Sequence, residues 1–446
     1  MSRLGDPVEN SPFDRLEDEV FRQMHGRLNK IQEEGERKRY VELLIKGINP
    51  SATKEDISRI VEDTQKFEPI EKYLHDSDVE DVMINNTSSI FVYKTSLGAT
   101  MKVPETIKSR SELDKLVNKL KLYASPVKDD NILDGHLPNG SRVNIVESPL
   151  GADITIRNFR SNVLSIIDLI DNGMLSFSLA ARFWLYVDGL RVRPANIMIG
   201  GMPGSGKTTL LNALFSFFRE DQRVIIIEDT YELNTSMQDN SVRLETNVDT
   251  DLKDLVKNSL RMRPDTIVVG EVRGEEARDM MTTMNIGKIC MCTIHASTAK
   301  DVVSRLEHAP MNVEPDIIPL IDAIIIVSQV READNTMKRI ITQVAEVSAL
   351  EGKVMLSDLY SFNYKTHRGS DIAPSITFRE ILSRISGLSP VEIIAEEQRR
   401  ALILQRLKEL NVRDVIEINK FCKAYYENPD KALSLIGMEH LSSGVR

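Results

Sequence analysis

The pattern of hydrophobic and polar positions changes twice along the chain, and the first change follows residue 65. Residues 12–62 place apolar side chains at helical spacing among many Glu, Lys and Arg residues, which is typical of helices with a solvated face. From residue 66 onward, short apolar runs alternate with polar breaks, which indicates a mixed α+β unit. We therefore predict a helical N-terminal extension over residues 1–65 and an α+β domain over residues 66–160.

The second change gives a repeating order of apolar strand, turn and helix. Apolar runs at 195–200, 224–228, 266–270, 289–294 and 323–330 are nearly continuous, as in parallel strands that helices cover on both faces. This α/β rhythm predicts a parallel sheet over residues 191–370, preceded by a linker and a first helix over 161–190.

After Pro374 the pattern is again helical, so residues 371–446 are predicted to form a C-terminal helical region. The apolar stripe of EEQRRALILQRLKEL within it has two interpretations. It is either a partner-binding face or packed core of the domain.

The end of the first domain is predicted to form two strands, ILDGHLPNGSRVNIV and ADITIRNF. Three arginines lie in or next to these strands, at Arg142, Arg157 and Arg160. A guanidinium can stabilise negative charge on a phosphoryl group. These arginines are therefore candidates to act on a bound phosphate if the chain contains a phosphate site.

Composition narrows the function classes. A net charge of −10 and a pI near 5.4 disfavour a nucleic-acid-binding protein. Three cysteines are too few for a disulfide framework, and Cys290 and Cys292, which alternate with Met291, are expected to be buried packing thiols on one face of a strand. The N-terminal residues lack the apolar core of a signal peptide, and no apolar run has spanning length. We expect a cytoplasmic protein that reaches a membrane only peripherally, through partners.

The strongest motif begins where the first strand of the α/β region ends. Gly201-Met-Pro-Gly-Ser-Gly-Lys-Thr satisfies G-x-x-x-x-G-K-[ST], with an apolar strand before it and a helical segment after it. Backbone N–H groups of such a loop bind phosphate oxygens, a lysine neutralises the β and γ phosphates, and a hydroxyl joins the magnesium shell. The predicted nucleotide-binding residues are Gly201, Gly204, Ser205, Gly206, Lys207, Thr208 and Thr209.

Acidic residues follow the next two apolar strands. In RVIIIEDTYEL, Glu228 would contribute to the nucleotide and magnesium shell, and Glu232 would polarise the attacking water. In RMRPDTIVVGEVRGEEA, an apolar strand ends through Gly270 at Glu271, which resembles a Walker B strand with Glu in place of Asp. We predict that Glu271 and Thr208 hold Mg²⁺, partly through water.

A histidine follows a further apolar strand. In MCTIHAST, His295 is placed to donate to the γ-phosphate or to sense its loss. A single histidine of this kind is also common as a structural residue. The ordered set of phosphate loop, acidic strand end, Walker B strand and histidine strand favours the functional interpretation.

Together these blocks resemble the secretion ATPases of type II and type IV secretion, type IV pilus and archaellum assembly. The resemblance covers about residues 66–350 and includes the blocks DGHLPNGSRVN and ITIRNF. The sequence of the motifs is most similar to the archaeal and tight-adherence-pilus branch of the family. It implies a RecA-like P-loop core, a PAS-like N-terminal domain, ATP and Mg²⁺ as cofactors, a homo-hexamer, and a polytopic membrane platform protein as partner. By position, Arg142 and Arg157 match the arginines that the family's N-terminal domain brings to the nucleotide.

One segment departs from the family pattern. The glycine-rich approach to the histidine, with its His-Asp-Gly element, is replaced by Asn285-Ile-Gly-Lys-Ile-Cys-Met-Cys. This altered run supports one alternative to a motor ATPase, a nucleotide-gated scaffold with little hydrolysis. A second alternative is a RecA-like recombinase or helicase with a similar core. The acidic net charge counts against the second.

Overall fold

The computed structural model describes residues 12–441 except 29, 30, 32, 86–88, 127–130, 159–162, 248 and 333–335. Two compact units divide the chain, Met1–Arg160 and Ser161–Arg446. Arg160 and Phe159, which the sequence places at the end of a strand, lie outside the described residues. Each unit is described below by itself.

The first unit combines helices with an antiparallel sheet. Its helices are α1 (Pro12–Met24), α2 (Glu34–Ile48), α3 (Lys54–Asp63), α4 (Glu71–Leu74) and α5 (Arg110–Leu120). Its strands are β1 (Val79–Asn85), β2 (Ser89–Lys94), β3 (Ala99–Lys102), β4 (Ala124–Pro126), β5 (Ile132–His136), β6 (Arg142–Ser148) and β7 (Gly151–Arg157). They form one sheet in the order β3-β2-β1-β7-β6-β5-β4.

The helices before residue 65 share a core with this sheet. Val20 of α1, Val41 of α2 and Ile60 of α3 are buried in the same hydrophobic cluster as Val82 and Ile156 of the strands. Local signals define the helices: α3, for example, begins at a capping box formed by Thr53 and Asp56. The boundary predicted at residue 65 separates the first three helices from the α+β region that contains the sheet. The two parts share one hydrophobic core, and the position of the domain boundary stays a prediction.

The segment ILDGHLPNGSRVNIV is a hairpin and not the single strand that the sequence suggests. Residues 132–136 and 142–148 form β5 and β6, which pair antiparallel from His136↔Arg142 outward. The turn between them contains Asn139, whose Oδ1 accepts the Ser141 N–H at 3.0 Å, and Gly140 at φ 84°. Because an Asn-Gly pair favours a tight turn, the apolar run is folded back on itself.

The second unit has a nine-stranded sheet with helices on both faces. Its strands are β8 (Ile197–Gly200), β9 (Val224–Glu228), β10 (Ser241–Glu245), β11 (Thr266–Val272), β12 (Ile289–Ile294), β13 (Ala323–Arg331), β14 (Met337–Leu350), β15 (Lys353–Asn363) and β16 (Arg368–Asp371). The order is β10-β9-β11-β12-β8-β13-β14-β15-β16. The six strands β10, β9, β11, β12, β8 and β13 are mutually parallel. Strands β14, β15 and β16 extend the sheet beyond β13 in antiparallel pairs.

This is the predicted RecA-like α/β core. The helices of the unit are α6 (Ile166–Asp171), α7 (Phe177–Asp188), α8 (Lys207–Leu214), α9 (Leu252–Ser259), α10 (Glu276–Asn285), α11 (Ala299–Glu307), α12 (Thr377–Ser386), α13 (Pro390–Glu409), α14 (Val415–Glu427) and α15 (Pro429–Leu435). On β12, Met291 is buried with the cluster on one face of the sheet, and Cys290 and Cys292 with the cluster on the other. The prediction of two buried thiols on one face is confirmed.

The C-terminal helices pack onto the sheet face that carries α8. Ile393, Ile403, Leu404 and Leu407 of α13 are buried in the same cluster as Ile197 of β8. For Ile403, Leu404 and Leu407, which belong to the apolar stripe, the core interpretation is correct. Burying an Ile or Leu side chain is worth about 1.5–3 kcal/mol, so the four residues hold α13 firmly on the core.

Candidate nucleotide site

The phosphate loop is shaped by glycines that no other residue could replace without strain. A Cβ at Gly201 would lie 2.4 Å from Oγ of Ser205 and 2.5 Å from the carbonyl oxygen of Val327, so the loop closes tightly after β8. Gly204 and Gly206 have φ of 74° and 101°. These conformations favour glycine, and they place Gly206 directly before α8, where the helix presents its free N–H groups.

Lys207 is the first residue of α8, and the residue is 7% exposed. Nζ donates to the carbonyl oxygen of Met202 at 3.4 Å and lies 3.3 Å from Nδ1 of His295. Burial lowers the pKa of Lys207, and the nearby carboxylates of Glu271 and Glu232 oppose this effect. A buried ammonium with so few hydrogen bonds favours an anion beside it.

Glu271 and His295 come together at the carboxyl ends of neighbouring strands. β11 continues to Val272, two residues beyond the predicted end, and its pairing with β12 is irregular between Val269 and Val272. Nε2 of His295 lies 2.5 Å from Oε1 of Glu271, although the contact lacks the alignment of a regular hydrogen bond. The structure thus joins Lys207, Glu271 and His295 in one cluster.

The two acids after β9 occupy different environments. Glu228 is 2% exposed, and its Oε1 accepts the backbone N–H groups of Glu232 and Leu233, each at 2.9 Å. Burial raises the pKa of Glu228 to about 7, against the lowering effect of these two hydrogen bonds. Its Oε2 has no hydrogen bond among the described residues and lies 3.5 Å from Nη2 of Arg243. Glu228 therefore fixes the turn that carries Glu232.

The groups at this edge of the sheet fit a magnesium-bound nucleotide. Oγ of Ser205 is buried within the loop and lacks a hydrogen bond to any described residue. Thr208 and Thr209 are partly exposed in the first turn of α8. Among the described residues no group of three or more His, Cys, Asp or Glu side chains could hold a metal ion. In phosphate sites Mg²⁺ typically takes one or two protein ligands besides phosphates and waters, for which Thr208 and Glu271 are suitable.

The sequence gives no signal for another contact of the phosphate loop. Nε2 of Gln329, near the end of β13, donates to the carbonyl oxygen of Gly204 at 2.8 Å. A glutamine after an apolar run is common at any strand end, so only the folded structure reveals this contact.

Arg142 and Arg157 belong to the first unit, where they face each other on β6 and β7 as register partners. Nη2 of Arg142 lies 2.5 Å from Oδ2 of Asp134, and Nε of Arg157 lies 3.0 Å from Oδ1 of Asp81. Both arginine side chains are largely exposed, at 43% and 57%. The structure brings the two arginines together, as neighbours on one sheet.

Comparison with known proteins identifies the family. The family model described as "Type II/IV secretion system protein" matches residues 63–368, more than half of the chain. The chain belongs to the type II/IV secretion system protein family. The matched range contains the phosphate loop, Glu271, His295 and the two arginines described above.

Individual relatives of this secretion family member cover parts of the chain. An uncharacterized protein of Methanocaldococcus jannaschii, MJ0781, is 38% identical over an alignment of 233 residues, and the match covers 49% of this chain and 32% of that protein. A second one, MJ0900, is 29% identical over 334 residues, and the chain covers 59% of its length. The type IV secretion system protein VirB11 of Bartonella henselae is 30% identical over an alignment of 276 residues, and the match covers 52% of this chain and 77% of that protein.

Among solved structures, the ATPase DotB of Legionella pneumophila is similar to this secretion family member with 18% sequence identity and a TM-score of 0.44. The match covers 75% of this chain and 86% of that one. In the part of the chain that the structure describes, no helix is both long and apolar enough to cross a bilayer.

Proposed function

We propose that the protein is an ATPase that hydrolyses Mg-ATP and uses the reaction to drive conformational change in a secretion, pilus or archaellum assembly machine. The observation that supports this most strongly is the cluster of Lys207, Glu271 and His295 beside the glycine loop. Membership of the type II/IV secretion system protein family supports it independently.

The phosphate loop binds the triphosphate in this proposal. Backbone N–H groups of Gly204, Gly206, Lys207 and Thr208 donate to phosphate oxygens, helped by the positive end of α8, whereas the N–H of Ser205 donates to the carbonyl oxygen of Met202 at 3.1 Å. Lys207 neutralises the β and γ phosphates, and the anion satisfies an ammonium that burial alone destabilises. The hydroxyl of Thr208 serves as a ligand for Mg²⁺, which when bound withdraws charge from the phosphoryl oxygens.

The carboxylates prepare the attacking water. Glu271 orients the water and accepts its proton, with Glu232 as a second polarising carboxylate on the turn that Glu228 holds. His295 contacts both Lys207 and Glu271, so a γ-phosphate that enters must change at least one of these contacts. The histidine therefore reports whether the γ-phosphate is present. Glu228 contributes its Oε2 to the nucleotide shell.

The finer assignments rest on the family resemblance. By this resemblance, Arg142 and Arg157 supply positive charge to the phosphoryl group of the nucleotide. In the structure they pair with Asp134 and Asp81. The chain assembles as a homo-hexamer at the cytoplasmic face of a membrane. It is held there by a polytopic platform protein and does not bind nucleic acid.

Steady-state phosphate release by the purified protein tests the activity. We expect turnover that depends on Mg²⁺ and falls to background in Lys207→Ala, since loss of the ammonium removes both binding and charge neutralisation. Lys300→Ala, on the exposed side of α11, is the control. If the wild type is no faster than Lys207→Ala, the protein is a scaffold and not a motor.

A further inference from the structure

A second cation lies against the phosphate loop, on the hairpin of β13 and β14. Arg339 packs its aliphatic stem over Gly206: a Cβ at that glycine would lie 3.3 Å from Cδ of Arg339. Met174 flanks the same point, with its Cε 3.7 Å away. The absence of a side chain at Gly206 therefore creates the space that the arginine stem fills.

Strand register fixes the position of this arginine. Gln329 and Arg339 are direct partners in the β13–β14 ladder, so their side chains point to the same face. Gln329 donates to the carbonyl oxygen of Gly204, and Arg339 covers Gly206 two residues further along the loop. The pair lies over the phosphate loop as a unit, while the neighbouring Lys338 points to the other face.

The guanidinium of Arg339 has no hydrogen-bond or ion-pair partner among the residues that the structure describes. Lys338, by contrast, has Glu332 at 3.7 Å. An arginine beside the positive end of α8 is unfavourable by itself, because the helix dipole repels it. The same arrangement is favourable once an anion binds there, since both charges then act on the anion.

The loop also indicates which part of the anion Arg339 would contact. The ammonium of Lys207 lies 3.3 Å from Nδ1 of His295, and the lysine of such a loop reaches the β and γ phosphates. Backbone N–H groups in the middle of such a loop bind the α and β phosphates. Gly206 belongs to this part of the loop, and Arg339 adjoins it.

We propose that Arg339 binds the α/β-diphosphate part of the nucleotide, so that it holds ADP and ATP equally and slows release of the product. This inference rests on the proposed nucleotide-binding function and adds a residue of the same unit to the site. Glu271 and His295 respond to the γ-phosphate in this proposal, whereas Arg339 contacts only the two phosphates that ADP and ATP share.

Equilibrium binding of Mg-ADP and Mg-ATP by calorimetry tests the inference. Arg339→Gln keeps most of the stem over Gly206 and removes the charge. We expect its Kd to rise about tenfold for both nucleotides, as loss of one charged hydrogen bond would give. Arg339→Lys keeps the charge without the two-pronged geometry and should give an intermediate Kd. Lys338→Gln, one residue away on the other face, should stay within twofold of the wild type.

Several outcomes overturn this inference. Unchanged ADP affinity in Arg339→Gln excludes contact with the diphosphate, and a loss restricted to ATP places the residue at the γ-phosphate instead. Equal losses in Arg339→Gln and Lys338→Gln indicate a general charge effect. A wild type that binds neither nucleotide overturns the proposed function together with this inference. A wild type that binds both, with Arg339→Gln unaffected, overturns this inference alone.

Discussion

Nε2 of His295 lies 2.5 Å from Oε1 of Glu271, and Nδ1 of the same ring lies 3.3 Å from Nζ of Lys207. One imidazole therefore contacts both the carboxylate that we propose to orient the attacking water and the lysine predicted to bind phosphate. The ring thus contacts two groups of opposite formal charge. A bound γ-phosphate would compete with the ring for Lys207.

His295→Ala tests this role of the ring. We expect turnover to fall roughly 100-fold, the usual cost of losing one polar group that stabilises a transition state. The ratio of ADP to ATP affinity should change as well, because the variant lacks the side chain that we propose to respond to the γ-phosphate. Phosphate release and nucleotide titrations measure the two effects, and His308→Ala, on an exposed histidine after α11, is the matched control. Unchanged values for both effects would make His295 a structural residue.

Glu228 gives the protein a predictable pH dependence of stability. Its pKa is about 7 in the folded protein against 4.5 for the ordinary carboxyl group, so the folded state binds its proton more tightly. Stability should therefore fall as the pH rises from 4.5 to 7, and the loss stays complete above pH 7.

Glu228→Gln removes this pH-dependent loss, because an amide oxygen accepts the N–H groups of Glu232 and Leu233 without a charge. Without nucleotide, the variant should be more stable than the wild type at pH 8 by roughly 2–3 kcal/mol, with little advantage at pH 5. Urea unfolding at both pH values measures the difference. Glu220→Gln, on an exposed glutamate, is the control. An advantage of the same size at both pH values would refute the assignment.

Arg142→Ala and Arg157→Ala should retain Mg-ATP binding and lose turnover, by 100-fold or more, as for arginines that stabilise phosphoryl charge. Nucleotide titration and phosphate release separate the two properties. Arg110→Ala removes an exposed arginine of the same unit, paired with Asp114 on α5, and should leave both unchanged. Full turnover in both test variants would remove these arginines from the mechanism.

The sequence predicts most of the parallel sheet because strands that are buried on both faces appear in it as nearly continuous apolar runs. The predicted strands 224–228 and 289–294 match β9 and β12 to the residue, since each is an apolar run between polar neighbours. β14–β16 were not predicted. These strands form by pairing with β13 and with one another. Such pairing joins residues that are distant in sequence, so the pattern of a short stretch of sequence does not reveal it.

The same distinction applies to the site. The motif order identifies Lys207, Glu271 and His295, because each follows an apolar strand whose carboxyl end points to one edge of the sheet. Nothing local distinguishes Gln329 or Arg339, since the register of one hairpin brings them to the phosphate loop. Nor does the motif show that Oε1 of Glu228 is engaged by backbone N–H groups of its own turn.

The most direct test of the ATPase assignment follows the nucleotide on Glu271→Gln. The variant keeps the phosphate loop and loses the carboxylate that we propose to accept a proton from water. After incubation with Mg-ATP and rapid removal of free nucleotide, acid quenching should release mainly ATP from Glu271→Gln, mainly ADP from the wild type, and neither from Lys207→Ala. Equal conversion to ADP by Glu271→Gln and the wild type, or no retained nucleotide on either, would contradict the account.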